Sequence, residues 1–211
     1  MRAIVTGGTS GIGKAIADYL RRDYEVITVG RKPENDIIVD LTVSHANLID
    51  IPIDVLVNCA WSQHIAPAAY YPMDEWERQM ALLTACFDLS RQAWAHGASR
   101  IINIASTAGI RGTRGCVGYS VAKAGVIHLT KCLSNEWGRE CTVNCICPGY
   151  IETPMLANSF RDAAHKERMT EYIPAGRIGK PEDVVPAVEF LLKADYVTGA
   201  VIPVDGGFLA R

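Results

Sequence analysis

The sequence has no apolar run approaching the ~18–20 residues that cross a bilayer as a helix, no sustained heptad, no internal repeat and no low-complexity tract. Neither charge sign dominates, since 21 Lys and Arg face 23 Asp and Glu, for a formal net charge of −2. These absences exclude a helical membrane span, a long coiled coil, a collagen-like chain and a dedicated nucleic-acid binder, which would carry a basic face. The seven cysteines are odd in number. A chain of 211 residues also buries enough surface to fold without staples, so they do not read as a disulfide frame. No secretion signal is expected, because residues 2–6 read as a strand and Gly7 opens a turn. The expectation is a reduced, cytoplasmic protein with no membrane and no nucleic-acid partner.

With 49% hydrophobic and 21% charged residues, the chain has the composition of one globular domain over 1–211. Strand-like apolar runs fall at 3–6, 25–29, 37–39, 53–58, 100–105, 142–147 and 201–204. They are continuous rather than alternating, as strands covered on both faces are. Helix-like segments lie between them at 12–21, 74–94, 117–137 and 181–192, and 155–175 reads as a polar helical excursion. This alternation predicts an α/β doubly wound parallel sheet, Rossmann-like, in three α/β/α layers. Only residues 30–36 separate the second and third strands, where a parallel crossover normally takes a dozen residues or more. A bare loop or a stub of a strand is expected there, on a thin sheet edge.

The first strand runs into Gly7-Gly8-Thr9-Ser10-Gly11-Ile12-Gly13-Lys14-Ala15. Such glycines allow a tight turn and close approach of a phosphate, and the helix that follows offers free N–H groups and a positive dipole end. A P-loop is nearly spelled, but Ala15 stands where a magnesium-binding hydroxyl is required. The Gly-x-Gly-x-x-Gly spelling is not matched either, and a glycine connector without ligand remains the plain alternative. Further on, Tyr119 and Lys123 sit four residues apart on one helix face. A nearby ammonium favours phenolate and would tune the phenol as an acid or base. Ser106 ends a buried strand, and strand C-termini are where open α/β sheets bind ligands.

Gly7-x3-Gly11-x-Gly13, Ser106, Tyr119-x3-Lys123 and Pro148-Gly149 together resemble the short-chain dehydrogenase/reductase family in its ~250-residue subgroup. The resemblance spans the whole chain, including Gly176-Arg177-x-Gly179-x-Pro181-Glu182-Asp183 and Asp205-Gly206-Gly207. It implies an oxidoreductase that passes hydride between a nicotinamide cofactor and a small or medium carbonyl or alcohol. Tyr119 would exchange the proton, Lys123 would hold the nicotinamide ribose and lower the tyrosine's pKa, and Ser106 would bond the reacting oxygen. The implied cofactor cradle comprises Gly7, Thr9, Ser10, Gly11, Ile12, Gly13, Arg31, Asp40, Leu41, Asn58, Ala60, Pro148, Gly149, Ile151 and Thr153, together with Tyr119 and Lys123. Asp40 would meet the adenine, and Ile151 and Thr153 the carboxamide. By the same resemblance the chain forms a homodimer or homotetramer.

Departures from the family are equally specific. Trp61 replaces a glycine beside the expected nicotinamide, which implies a narrower, aromatic pocket. The family's asparagine, which holds a relay water near the lysine, is Leu82 here, and residues 59–102 contain no asparagine. His64 is a candidate to take over the relay, or a plain loop histidine. Trp61, His64, Thr107, Cys116, Tyr150 and Met155 are the expected substrate pocket. Gly30 stands where NAD enzymes carry an acid, followed by Arg31 and Lys32, so NADP(H) is favoured with Arg31 on the 2′-phosphate. NAD(H) served by Glu34 or Asp36 is the alternative. Cys145 and Cys147 read as small buried hydrophobes and no metal site is expected. Arg111 and Arg114 are either loop charges or contacts for an anionic substrate. Rival readings are a catalytically impaired nucleotide-binding regulator and a family enzyme turned to dehydration or double-bond reduction. The chain is about 40 residues shorter than the family norm, with the deficit between residues 31 and 53, where helices beside the adenine half would lie.

Overall fold

Alternate residues of each strand feed two different cores, which is why the strands read as continuous apolar runs. The computed structural model describes residues 1–157 and 163–211. Its strands are β1 (Arg2–Thr6), β2 (Glu25–Gly30), β3 (Ile37–Ile38), β4 (Val55–Asn58), β5 (Arg100–Ile104), β6 (Thr142–Pro148) and β7 (Val201–Val204). Its helices are α1 (Gly11–Leu20), α2 (Met73–Ala95), α3 (Val117–Trp137), α4 (Ala163–Glu171) and α5 (Val185–Lys193). On one face Ile4, Leu56, Ile101 and Val143 pack with Leu89 and Ala93 of α2 and Leu133 of α3. On the other, Val5, Val57, Ile102 and Ile146 pack with Ile16 and Leu20 of α1 and Val188 and Leu191 of α5. Burying both faces this way makes three layers, α/β/α, as the alternation predicts.

The seven strands are all parallel and lie in the order β3-β2-β1-β4-β5-β6-β7. From β1 the chain moves outward to β2 on one side and later returns to β4 on the other. The strand order reverses between β1 and β4, and that reversal opens a crevice at their C-terminal ends. Thr6 closes the floor of the crevice: its hydroxyl accepts the amides of Cys59 (2.8 Å) and Ala60 (2.9 Å), joining the two strand ends.

The thin edge is as short as the sequence implies. Strand β3 has two residues, stopping before Val39, and residues 31–36 make its parallel crossover without a helix. The loop is held from within, since the Asp36 carboxylate accepts both the amide and the hydroxyl of Thr28 at 2.8 Å. The coil after β3 is strapped to α2 by Gln92, whose Oε1 accepts from the Ile49 amide (3.0 Å) and whose Nε2 donates to the His45 carbonyl (2.8 Å). A single glutamine thus does part of the work of the absent helices.

Two expectations are corrected. Strand β4 begins at Val55 rather than residue 53, because Asp54 turns its carboxylate to the Arg2 amide. The helix expected over 181–192 is divided into a 3-10 turn, Pro181–Val184, and α5. Pro186 lies in the first turn of α5 and has no N–H to continue a helix from the residues before it. In the 155–175 excursion, α4 supplies the helical part, and 158–162 lie outside the described residues. Cys145 and Cys147 are fully buried with their sulfurs 3.9 Å apart, packed with Cys86, Ala105 and Val126 as small apolar groups.

Candidate active site

A cavity of about 520 Å³ lies over the crevice. Its floor is the turn from β1 into α1. Gly13 has its Cα so close to the Gly7 carbonyl that any Cβ would collide with it, and Gly11, at φ +52°, rests against Thr153. Helix α1 therefore starts hard against the cavity, with its first N–H groups free of intrahelical partners. Ser10 stands at the N-cap but makes no side-chain cap bond, and the first turn holds no acid. The positive end of the helix and the serine hydroxyl are thus left for an anion. This uncompensated end fits the diphosphate of a dinucleotide.

The far end of the cavity is electropositive. Arg31 and Lys32 line it beside Asp40, and so does Arg78 of α2, which the sequence reading missed. Both guanidiniums bracket the Asp40 carboxylate, Arg31 at 3.8 Å and Arg78 at 3.7 Å. Burial would raise the Asp40 carboxyl, but the hydroxyl and amide of Thr42 and the two arginines outweigh it and hold it below its usual range. Asp36 does not face this end, because both Thr28 bonds hold its carboxylate against β2. Neither Asp36 nor Glu34 lines the cavity. The acid on this wall, Asp40, is paired with both arginines rather than free.

At the other end stand Ser106, Tyr119 and Lys123, all three lining the cavity and nearly fully buried. Ser106 follows β5 and its hydroxyl accepts the Ala108 amide at 3.1 Å. Tyr119 and Lys123 project from the first two turns of α3, which pass over the ends of β5 and β6. Burial pushes the Tyr119 phenol up to about 12, against the hydrogen bond of Ser106. Burial pulls the Lys123 ammonium down to about 8. The expected lowering of the tyrosine by Lys123 is therefore not found: the ammonium is 5.8 Å from the centre of the phenol ring, and desolvation dominates. A phenol held protonated by its burial is suited to donating a proton, and a lysine that titrates near neutrality can switch its charge.

Almost every residue singled out from the sequence lines this one cavity: the glycine turn, Arg31, Asp40 and Leu41, Ala60 and Trp61, the Ser106 and Tyr119 groups, and the segment from Pro148 to Met155. Three do not. Asn58 turns its side chain into the core, donating to Asn103 (2.9 Å) and Ser90 (3.1 Å). His64 packs edge-on against Tyr71, 5.6 Å between ring centres, so it is not placed to stand in for the missing asparagine. Cys116 is buried beside Gln63, whose amide donates to its sulfur at 3.2 Å. Besides Arg78, the sequence reading passed over Phe208, which lines the cavity from the C-terminal end of the chain. Tyr150 meets its ring edge-on at 5.3 Å, and the Arg111 guanidinium lies over it at 5.5 Å. No local motif marks Phe208, because the fold alone brings it to the site.

A model described as enoyl-(acyl carrier protein) reductase matches residues 38–209. An acetoacetyl-CoA reductase of Rhizobium meliloti is 35% identical, with 97% of each chain covered. A 3-oxoacyl-(acyl-carrier-protein) reductase of Aquifex aeolicus is also 35% identical, with 97% of this chain and 86% of the relative covered. Among solved structures, one from Agrobacterium tumefaciens, described as a 2-deoxy-d-gluconate 3-dehydrogenase with bound NADP, superposes with a TM-score of 0.93. It is 34% identical, over 100% of this chain and 96% of that one. The chain belongs to the short-chain dehydrogenase/reductase family. It is an NAD(P)-dependent oxidoreductase of the short-chain type, acting between carbonyl and alcohol. The Rhizobium alignment runs over 236 positions against 211 residues here, so the relative has positions this chain lacks.

Proposed function

We propose that the protein is an NADPH-dependent carbonyl reductase whose catalytic residues are Ser106, Tyr119 and Lys123. The observation that carries this is their convergence at one end of a cavity whose other end presents Arg31 and Arg78 and no free acid. Held along this cavity, a nicotinamide cofactor would supply hydride to the carbonyl carbon. Tyr119 donates its phenolic proton to the carbonyl oxygen, which completes the alcohol and leaves a phenolate. Ser106 hydrogen-bonds that oxygen as charge grows on it. Lys123 holds the nicotinamide ribose, and the phenolate, destabilised by its burial, takes a proton back before the next turnover.

The remaining cofactor contacts follow the cavity wall. Gly7, Thr9, Ser10, Gly11, Ile12 and Gly13 receive the diphosphate, Arg31 the 2′-phosphate, and Asp40 and Leu41 the adenine. Ala60, Pro148, Gly149, Ile151 and Thr153 flank the nicotinamide. Trp61, Thr107, Tyr150, Met155 and Phe208 make the substrate end aromatic and apolar, which suits a short acyl chain carrying the ketone. The relatives' names point the same way, to a 3-oxoacyl thioester. We place the enzyme in the cytoplasm, as one domain that assembles into a homodimer or homotetramer; no helix among the described residues is long and apolar enough to cross a membrane.

Oxidation of NADPH with acetoacetyl-CoA, and with a small diketone as a thioester-free control, tests this reading. Turnover of the wild type with at least one of them is expected, and none with either would contradict it. The family description favours one second reading, double-bond reduction. Crotonyl-CoA in the same assay is expected to be inert, and faster turnover of crotonyl-CoA than of acetoacetyl-CoA would put that reading first.

A further inference from the structure

Lys123 is only 2% exposed, and two groups confine its ammonium. Its Nζ donates to the Ile104 carbonyl at 2.7 Å and lies 3.7 Å from the centre of the Trp61 ring. The indole is itself fixed, since Trp61 Nε1 donates to Gln79 Oε1 at 2.8 Å. Gln79 is fully buried on α2, and its Nε2 has no hydrogen-bond partner among the described residues. A buried amide that uses one of its two ends costs stability, so its placement calls for a reason beyond packing. Leu82, one turn further along α2, lines the same part of the cavity and has no group that can hold a water.

We propose that Trp61, anchored by Gln79, is a positioning residue for Lys123: its π face replaces the asparagine-held relay water and keeps the ammonium turned to the cofactor. An ammonium has three donors. Ile104 takes one, the indole face covers another side by cation–π attraction, and what remains faces the cavity. The other charged or titratable groups around the ammonium are the thiols of Cys59, Cys86, Cys145 and Cys147 and the Tyr119 phenol. Burial raises Cys59 to about 11 and Cys86 to about 12, so neither competes as an anion near neutrality. The tryptophan that narrows the pocket and the leucine that removes the relay are then one change: an aromatic wall where the family has a wet one. Proton return to Tyr119 must come from the cofactor and substrate side. This inference rests on the assignment of Lys123 to the ribose.

Two measurements test it. First, tryptophan fluorescence is followed from about pH 6 to about pH 10 in the wild type, Lys123→Met and Trp61→Leu. A step near the Lys123 titration, at about 8, is expected in the wild type and absent from both variants. No step in the wild type, or one that survives Lys123→Met, overturns the contact. Second, NADPH affinity is measured by nicotinamide fluorescence in a double-mutant cycle. Trp61→Leu is expected to weaken binding about tenfold, the range of a desolvated cation–π contact, yet about twofold or less in the Lys123→Met background. Gln79→Leu, which keeps the indole but removes its anchor, should give a smaller loss with the same dependence on Lys123. Equal losses in both backgrounds would mean that Trp61 acts without Lys123 and would overturn the proposal. If the wild type binds no nicotinamide cofactor, the functional reading fails, while the fluorescence step still decides the Trp61–Lys123 contact.

Discussion

Asn58 and Asn103 are joined side chain to side chain across neighbouring strands, Nδ2 to Oδ1 at 2.9 Å. Asn103 then donates to Thr130 of α3 at 3.0 Å, and Asn58 donates to Ser90 of α2 at 3.1 Å. The four residues form a buried polar strut that ties β4 and β5 to the two helices covering them. Helix α3 carries Tyr119 and Lys123, so the strut fixes the height of both above the sheet.

Replacing the centre of the strut should therefore cost more than a surface change. Asn103→Leu leaves the Asn58 amide and the Thr130 hydroxyl short of a buried partner. The loss is expected to be about 2 kcal/mol, or about 5 °C in Tm for a chain of this length. Urea unfolding of the variant beside the wild type checks it, and an unchanged midpoint would show that the strut is dispensable.

Lys123 should weaken the fold while serving the site. Burial lowers its pKa from 10.5 to about 8, so between those values the unfolded chain binds more protons and wild-type stability rises with pH. Below about 8 the full penalty is present. That shift corresponds to roughly 3 kcal/mol, less about 1 kcal/mol for the lost bond to Ile104. Lys123→Met is thus expected to raise Tm by about 5 °C at neutral pH. The gain should shrink as pH climbs through the window, as thermal melts at neutral and alkaline pH would show.

The same titration should govern turnover. Tyr119, raised to about 12, stays protonated across the working range and contributes no limb to the profile. Lys123 loses its charge as pH rises through about 8, so kcat/KM for carbonyl reduction is expected to fall above that point. Lys123→Met should lower activity at every pH and flatten the profile. An alkaline limb that persists in Lys123→Met would assign it to another group.

Cofactor choice should follow the arginines. Arg31→Ala is expected to weaken NADPH by about 10–100-fold, as loss of a charge-assisted pair with phosphate would. NADH should be nearly unaffected. Arg78→Ala should act in the same sense, because its guanidinium and that of Arg31 neutralise Asp40 together. Fluorescence titrations with both cofactors decide it, and equal losses for NADPH and NADH would remove Arg31 from the 2′-phosphate.

The sheet and most of the site were legible because both depend on local chemistry. Apolar runs bounded by glycine turns specify the strands, and Tyr119-x3-Lys123 needs only a helix to bring its members to one face. Contacts set by tertiary packing were not legible. Asn58 ends its strand, where the pleat turns successive side chains to opposite faces, so Cys59 lines the cavity while Asn58 faces Ser90 and Asn103 in the core. Arg78 reaches Asp40 from α2 and Phe208 reaches the cavity from the far terminus, contacts that no local motif announces. The Tyr119 shift runs upward for a related reason: burial outweighs the charge of a neighbour, and spacing in a sequence does not report burial.

In the proposed reaction Tyr119 delivers the proton as a carbonyl is reduced with NADPH. Turnover of NADPH with acetoacetyl-CoA by the wild type and Tyr119→Phe tests it most directly, with NADPH affinity measured alongside. The phenylalanine variant is expected to bind NADPH as tightly as the wild type and to lose at least about 100-fold in kcat. Turnover as fast as the wild type would contradict the account.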